Sequence, residues 1–362
     1  MHAKRRLYPN STRLVIGTRG IVLVLCLATC AWDARAQLPS CTPRPSPRAH
    51  ETASPPLRFA FQSRFWLNLH QFLYAQAQAR SGRAHRPTVT SSLTDTAGLA
   101  SSPAASRARW ESALQYYVRA VAPLDFIFDS TSIRINDRLS ELADDATPPA
   151  PDLGGDLAAA LIDAAPLYRT LWWPAHDSAN RRWIEEIRPL LDGYGEVESS
   201  IVTRAFVARA PTEPIRVDVS AYATWAGAYT TEHPSHIIIS SRSATNARTR
   251  GLESLFHEAL HTMDACVEQS VRAAGDRAGV HAPYDVTHAL IFYTAGYATQ
   301  RAIPSYWFRT QPGTVWARSP MATYLPTLDR WWLDYLDGRL DLSTAARHIV
   351  SELKPLLADS AR

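Results

Sequence analysis

The sequence predicts a mainly helical α+β protein in which a small antiparallel or mixed sheet packs beside one long helix. Apolar residues recur at helical spacing through most of the chain from residue 57 onward. Three short segments between residues 215 and 240 instead alternate or are rich in β-branched residues, which is typical of strands. Helical patterns before and after these strands, without regular strand–helix alternation, favour the α+β class.

The N-terminus has the layout of a secretory signal. Basic residues precede the apolar run 21–28, and small residues lie just before Gln37. We therefore expect residues 1–36 to be cleaved after Ala36, leaving a secreted or periplasmic protein. The apolar run is too short for stable insertion in a membrane. A lipoprotein anchored at Cys30 is disfavoured because a threonine precedes that cysteine.

The charge balance argues against nucleic acid as a partner. The whole chain carries a formal charge of +4, but residues 1–36 contain six basic residues and one acidic residue. Their removal leaves 32 basic and 33 acidic residues and a net charge of −1. Nucleic-acid binding depends on a basic surface that this balance does not predict.

Two of the four cysteines, Cys41 and Cys266, remain after signal cleavage in what should be an oxidising compartment. A bridge between them would attach the new N-terminus to the principal helix. A buried free Cys266 with an unpaired Cys41 is the alternative, and the sequence does not decide between them.

The remaining chain divides into segments by composition and periodicity. Residues 37–56, rich in proline, serine and arginine, predict a leader without structure, and residues 82–105 predict a loop. We expect an N-terminal helical lobe over 57–210, a core over 211–304 and a C-terminal helical closure over 305–362, with a single domain over 57–362 as the alternative. Helices are predicted over 57–80, 105–122, 130–143, 157–171, 182–191, 196–210, 285–303, 320–336 and 342–357, and strands over 215–220, 226–231 and 236–240.

The principal motif is His257-Glu258-Ala259-Leu260-His261, set in a strongly periodic segment that predicts one long amphipathic helix through residue 271. Positions i and i+4 share a helix face, so the two imidazoles can bind one metal ion. Glu258 then lies beside the ion, where a carboxylate can act as a general base. A solvated polar face that happens to hold two histidines is the alternative interpretation.

A hydrolytic zinc site needs three protein ligands and one position open to water. His288, in the first turn of the next helix, is the predicted third ligand to one Zn²⁺ per chain, with Asp285 and His281 in reserve. The alternative for His288 is a core histidine bonded to the backbone. Glu268 is disfavoured because it would lie about 10 Å beyond His261 on the same straight helix.

Supporting roles are assigned less directly. Tyr284 is the predicted catalytic group that stabilises the oxyanion, because it lies one turn before His288. Asp264 or Glu253 could orient a ligand imidazole. The other candidates for the oxyanion are Tyr293, Tyr297, His281 and His70, and His70 is alternatively a satisfied core histidine.

The His257-Glu258-x-x-His261 helix, with a small sheet before it and a turn and second helix after it, resembles the zincin metallopeptidases over roughly 214–303. The resemblance implies zinc on His257 and His261 and the base role for Glu258. The metzincin continuation would place Gly and His where this chain has Asp264 and Val267, and the gluzincin glutamate is missing because 287–303 contains no acidic residue. The family within the group is therefore not assigned, and His288 is inferred from the residues alone.

The expected function is that of a zinc-dependent metallopeptidase that hydrolyses peptide bonds with a zinc-activated water and Glu258 as base. The partner is then a peptide or protein substrate, whose extended backbone could pair with an edge strand beside the site. The alternatives are a non-catalytic zinc-stabilised extracytoplasmic binding protein, and a zinc hydrolase that acts on a non-peptide bond.

Overall fold

The computed structural model describes Cys41 and residues 55–82, 98–232, 235–310, 315–317 and 321–360. The predicted signal peptide lies outside these residues, and so does the predicted leader except for Cys41 and its last two residues. The part of the predicted loop that precedes Gly98 also lies outside them, apart from its first residue.

Four strands form one mixed sheet in the order β1-β2-β4-β3: β1 Phe59–Gln62, β2 Ile215–Ser220, β3 Ala228–Glu232 and β4 Ser235–Ser240. β2 pairs in parallel with β1 and β4, while β3 runs antiparallel to β4 and lies at the edge. The three predicted strands are confirmed. β1 was not predicted, because its Phe-Ala-Phe-Gln sequence falls inside the segment 57–80 whose apolar spacing indicated a helix.

The sheet separates two apolar cores because successive side chains of a strand point to opposite faces. Val217 and Ile237 belong to the core formed with the C-terminal helices. Tyr229 and Ile238 belong to the core formed with the N-terminal helices. The sheet is therefore buried on both faces, which fits the apolar character of β4.

The helices before β2 are α1 Phe65–Arg80, α2 Ala104–Tyr116, α3 Ser130–Glu141, α4 Ala150–Leu153, α5 Gly155–Leu171 and α6 Trp173–Ala205. A π-helical turn, Tyr117–Val121, continues α2. The helical character predicted for 105–122, 130–143 and 157–171 is confirmed.

α6 joins two segments that were predicted as separate helices and starts before the first of them. It runs for 33 residues with Pro189 inside it. Pro189 and the two glycines that follow it are residues that disfavour the interior of a helix. The helix nevertheless continues, because Trp183, Ile187 and Val202 are all buried in the core, and tertiary packing overrides local propensity.

The helices after the sheet are α7 Thr249–His261, α8 Ala265–Ala278, α9 Tyr284–Ala302, α10 Met321–Thr327, α11 Leu333–Leu336 and α12 Leu342–Ser360. A second π-helical turn, Leu328–Trp332, joins α10 to α11. α9 and α12 were predicted, and the predicted helix over 320–336 corresponds to α10, this π-helical turn and α11 together. Asp285, at which this helix α9 was predicted to begin, lies inside its first turn, and Pro283 is the cap residue.

The predicted long helix is wrong in one respect, because it ends at His261 and a new helix begins at Ala265. The Thr262 hydroxyl donates to the carbonyl of Ala259 at 2.7 Å, and the Met263 amide donates to the carbonyl of Leu260 at 3.0 Å. These bonds tighten the last turn and end the helix. Because of this break, Asp264 and the residues after it do not continue α7, the helix that carries His257 and His261.

At the start of α7, the backbone at Gly251 lies very close to the backbone at Asn246. A Cβ at Gly251 would collide with the carbonyl oxygen of Asn246, so only glycine fits there. The Asn246 side-chain amide donates to the carbonyls of Gly227 and Ser240, at 2.8 and 3.0 Å. The indole of Trp183 donates to the Asn246 carbonyl at 2.6 Å. α7 is thus fixed at its first turn to the sheet and to α6.

The question that the sequence left open about the cysteines has an answer. Cys41 and Cys266 form a disulfide with a Cα–Cα distance of 5.3 Å. It attaches the chain near its N-terminal end to the first turn of α8.

In the described part of the chain, none of the helices is both long enough and apolar enough to cross a membrane.

Candidate metal centre

Three imidazoles meet between α7 and α9. The Nε2 atom of His257 lies 3.2 Å from Nε2 of His261 and 3.3 Å from Nε2 of His288. The three ligand atoms all lie within 4.8 Å of one another. Nitrogens bound to one tetrahedral Zn²⁺ at about 2 Å would be about 3.3 Å apart. The three histidines could therefore hold a metal ion.

Helix packing produces this convergence. His257 and His261 lie one turn apart on α7, and His288 lies near the start of α9, which packs directly against α7. Leu260 on α7 and Leu290 on α9 are fully buried in the core beneath. The Phe292 ring packs on the ring of His257 at 3.9 Å between centroids, which supports the imidazole from the side of α9.

The electrostatics of the cluster favour neutral imidazoles. Burial is the main cause that lowers the pKa of His257 well below its usual value, and the two neighbouring histidines lower it further. Burial also lowers the pKa of His261 to about 3 and that of His288 to about 4. Neutral imidazoles are the form that binds a metal, so the cluster is ready to do so at neutral pH.

The fit of a metal rests on these ring nitrogens. Nε2 of His257 lies within hydrogen-bond distance of Nε2 of both His261 and His288. Each neutral ring carries only one N–H, so few protons are available for hydrogen bonds among these three atoms. A cation between the three nitrogens would satisfy their lone pairs together. The opposite nitrogen of His257, Nδ1, is buried without a hydrogen-bond partner in the described part of the chain, so its ring is held by packing.

Glu258 follows His257 in the chain and is almost completely buried. Thr230, on the edge strand β3, places its hydroxyl 2.8 Å from Oε2 of Glu258 and 2.9 Å from the Glu258 carbonyl. Burial raises the pKa of the Glu258 carboxyl to about 8, and the bond from Thr230 opposes this rise. A cation nearby would favour the ionised form and lower that pKa.

Tyr284 lies against the outer side of His261. Its hydroxyl is 3.0 Å from Nδ1 of His261 and donates to a carboxylate oxygen of Asp264 at 2.5 Å. With its proton given to Asp264, the hydroxyl oxygen can accept from Nδ1–H of His261. That tautomer leaves Nε2 unprotonated and directed at the other two histidines.

The other acidic candidate, Glu253, has a different partner. The hydroxyl of Tyr306 donates to Oε2 of Glu253. Burial raises the pKa of the Glu253 carboxyl to about 7, while Tyr306 and Arg250 act to lower it. Of the two predicted orienting carboxylates, Asp264 is therefore the one connected to a histidine of the cluster.

The reserve ligands do not join the cluster. His281 and Asp285 are exposed, and neither belongs to the group of three that could hold a metal. Of the other oxyanion candidates, Tyr293 donates to Asp329 and Tyr297 donates to Asp337, both at 2.7 Å. His70 bonds to Tyr117 within the N-terminal helices. The role predicted for Tyr284 stays a prediction.

Sequence reasoning missed two residues of the site, Thr230 and Phe292. Thr230 lies 28 residues from Glu258 and meets it only because β3 packs on α7. Phe292 lies four residues after His288, so its contact with His288 was accessible in principle from helical spacing, whereas its contact with His257 depends on the packing of α9 on α7.

Comparison of the chain with protein-family models, with curated proteins and with solved structures found no match. A function for this chain must therefore be inferred from its own residues and their geometry.

Proposed function

We propose that this chain is a zinc-dependent metallopeptidase of the zincin type that acts outside the cytoplasm. The observation that carries the proposal is the convergence of three imidazole nitrogens from α7 and α9, with the buried Glu258 following His257 in the chain. A site built only to hold an ion has no use for an adjacent base.

The donor set favours zinc. Three neutral imidazoles are borderline ligands that suit Zn²⁺, whereas Ca²⁺ and Mg²⁺ prefer oxygen. Among the described residues, the group that could hold the ion contains only these three side chains. Three protein ligands with a fourth position open are typical of catalytic zinc, and four protein ligands are typical of structural zinc.

The chemistry expected of the chain's own residues follows from where they lie. When bound, zinc supplies a Lewis acid that acidifies water and polarises a carbonyl. Glu258 takes the proton of the attacking water and passes it to the leaving amine. Thr230 holds the Glu258 carboxylate through its hydroxyl. Tyr284 and Asp264 hold His261 in the tautomer that presents Nε2.

The position of β3 supports a peptide as substrate. β3 is an edge strand in the described sheet, and its Thr230 touches Glu258. The unpaired backbone groups of such an edge can bind an extended peptide as an added strand. The scissile bond of that peptide would then lie near the proposed base.

The disulfide supports a location outside the cytoplasm. Bridges such as Cys41–Cys266 form and persist in oxidising compartments. This agrees with the secretory signal expected over residues 1–36.

The test is cleavage of a mixed peptide library by the chain, expressed with its own N-terminus in a secreting host and loaded with zinc. Glu258→Gln removes the base but keeps its size, so we expect cleavage to be lost while one zinc per chain stays bound. Glu268→Gln, a change on α8 at a residue paired with Arg272, is the matched control and should cut normally.

Two outcomes would contradict the proposal in different ways. Tight binding of one zinc per chain without any cleavage by the wild type would indicate the structural-zinc binding protein, or a hydrolase of a non-peptide bond. Cleavage that persists in Glu258→Gln would remove Glu258 as the base.

A further inference from the structure

A cavity of about 220 Å³ lies among the N-terminal helices, apart from the histidine cluster. Its wall is mainly apolar, with contributions from Val121, Leu124, Phe126, Ile135 and Leu157. Among the described residues, no Asp, Glu, Lys or Arg side chain lines it. The cavity is thus suited to an uncharged occupant.

Two of the residues that line it each carry a buried polar atom without a partner in the described part of the chain. These atoms are Nε2 of His70, a residue 0% exposed, and Oγ of Ser132, a residue 1% exposed. Buried polar groups are nearly always hydrogen-bonded, so two orphaned groups on residues that line one cavity call for an occupant that bonds to them.

His70 is held firmly through its other ring nitrogen and one face of its ring. Its Nδ1 atom lies 2.6 Å from the hydroxyl of Tyr117, and its ring stacks on Phe126 with centroids 4.9 Å apart. Burial lowers the pKa of His70 to about 3, so the ring is neutral. A neutral imidazole with one nitrogen engaged offers the other as a single donor or acceptor.

The backbone around the cavity is irregular. Tyr117–Val121 forms a π-helical turn, in which the Ala122 amide bonds to the Tyr117 carbonyl at 2.7 Å. Such turns occur frequently at functional sites. Ala120, on this turn, and Thr131, on α3, line the cavity and are solvent-exposed, so they provide a mouth.

We propose that this cavity is a binding site for a small neutral ring compound that carries one hydroxyl or carbonyl group, the class of phenol and its simple derivatives. Such a ring fits the volume, because an apolar cavity of about 150 Å³ is enough for benzene. The polar group of the ligand would bond to His70 Nε2 and Ser132 Oγ, and the ring would contact Phe126 and the aliphatic wall.

The proposed site is separate from the metal centre. Gln71, next to His70 on α1, donates to the hydroxyl of Tyr229 on β3 at 2.8 Å. Thr230, the next residue on that strand, points to the opposite face and meets Glu258. The cavity and the histidine cluster therefore lie on opposite faces of the sheet, and this inference does not depend on the proposed peptidase activity.

The experiment is a titration of the full chain with phenol, followed by calorimetry and by the shift in Tm. Cyclohexanol tests whether an aromatic ring is needed, toluene lacks the polar group, and benzoate carries a charge. We expect saturable binding of phenol, weaker binding of toluene and none of benzoate. Binding should be unchanged by a zinc chelator.

Three variants test the site itself. Ser132→Ala should weaken phenol binding by about 3- to 10-fold, the usual value of one hydrogen bond. Ile135→Phe should fill the cavity and abolish binding. Ser130→Ala, an exposed change on the same helix, is the matched control and should bind as the wild type does.

Several outcomes would overturn the proposal. One is the absence of saturable binding of phenol and cyclohexanol by the folded wild type. Another is binding that Ser132→Ala and Ile135→Phe leave unchanged. A third is a crystal soaked in phenol in which only water bonds to His70 Nε2 and Ser132 Oγ. Phenol density in contact with both atoms would establish the site.

Discussion

The hydroxyl of Tyr284 joins His261 to Asp264, at 3.0 Å from the imidazole Nδ1 and 2.5 Å from a carboxylate oxygen. α7 ends at His261 and α8 begins at Ala265, so this contact depends on the break between the two helices. The turn places Asp264 beside the start of α9 instead of on the face of one continuous helix. The tyrosine thereby connects the two chain segments that carry the three histidines.

Tyr284→Phe is expected to weaken zinc binding by about 10- to 100-fold, because loss of a group that orients a ligand imidazole has effects of this size. The measurement is competition with a chelator of known affinity. Tyr194→Phe, on α6, is the control and should bind zinc normally. If zinc affinity is unchanged and kcat alone falls, Tyr284 acts on the substrate oxyanion instead, as the sequence analysis predicted.

His288→Ala is expected to abolish stoichiometric zinc binding, because it removes one of three converging nitrogens. His281→Ala and Asp285→Ala change exposed residues close by and should retain one zinc per chain. The measurement is metal content by mass spectrometry after gel filtration, with circular dichroism to show that each variant is folded. Zinc retained in His288→Ala but lost in either neighbour would reassign the third ligand.

Thr230→Val is expected to lower kcat on a peptide substrate by about tenfold without a change in zinc affinity, because the Glu258 carboxyl loses the hydroxyl that holds it. Thr230→Ser keeps that hydroxyl and should restore most of the activity. Equal losses in both variants would show that the methyl group, and not the hydrogen bond, is what matters.

The pH dependence of stability should include a contribution from Glu253. Its folded-state pKa is raised, mainly by burial, from the ordinary value of 4.5 to about 7. Between these values the folded protein binds the proton more tightly than the unfolded chain does, so stability is full below about pH 4.5 and falls as the pH rises toward 7. The loss amounts to roughly 3–4 kcal/mol.

The groups near Glu253 are Tyr306, which donates to it, the cation of Arg250, and the buried carboxyl of Glu198. Glu253→Gln is neutral at every pH and should lack its part of the decline. Urea unfolding of metal-free protein from pH 5 to pH 8 measures this, with the exposed Glu213→Gln as control. Parallel stability curves for Glu253→Gln and the wild type would contradict the prediction.

The disulfide should contribute strongly to stability, because it closes a loop with a sequence separation of 225. A constraint of this length on the unfolded chain is worth about 3–5 kcal/mol. The Cys41→Ser, Cys266→Ser double variant should unfold at correspondingly lower urea concentration. Thiol titration of the denatured wild type checks the bridge, since free Cys41 and Cys266 would both react.

The sequence by itself determined the local features of this protein. Helical and alternating periodicities follow directly from which residues must be buried, so most helices and strands β2 to β4 were predicted with small errors at their ends. His257 and His261 are four residues apart, so they share one face of any helix that contains them. Glu258, the residue after His257, necessarily lies beside them. The mainly helical α+β class with a small antiparallel or mixed sheet followed from the same patterns, and the structure shows that the sheet is mixed.

The tertiary structure decided what depends on contacts between distant segments. β1 becomes a strand because β2 is available for it to pair with, although its own residues fit a helix. α6 continues through Pro189 because its apolar face is buried. Three relationships needed the packed fold: Thr230 with Glu258, Tyr284 with His261, and Cys41 with Cys266. Local propensity carries no information about which remote segment supplies a partner, because that choice is made by the burial of the whole core.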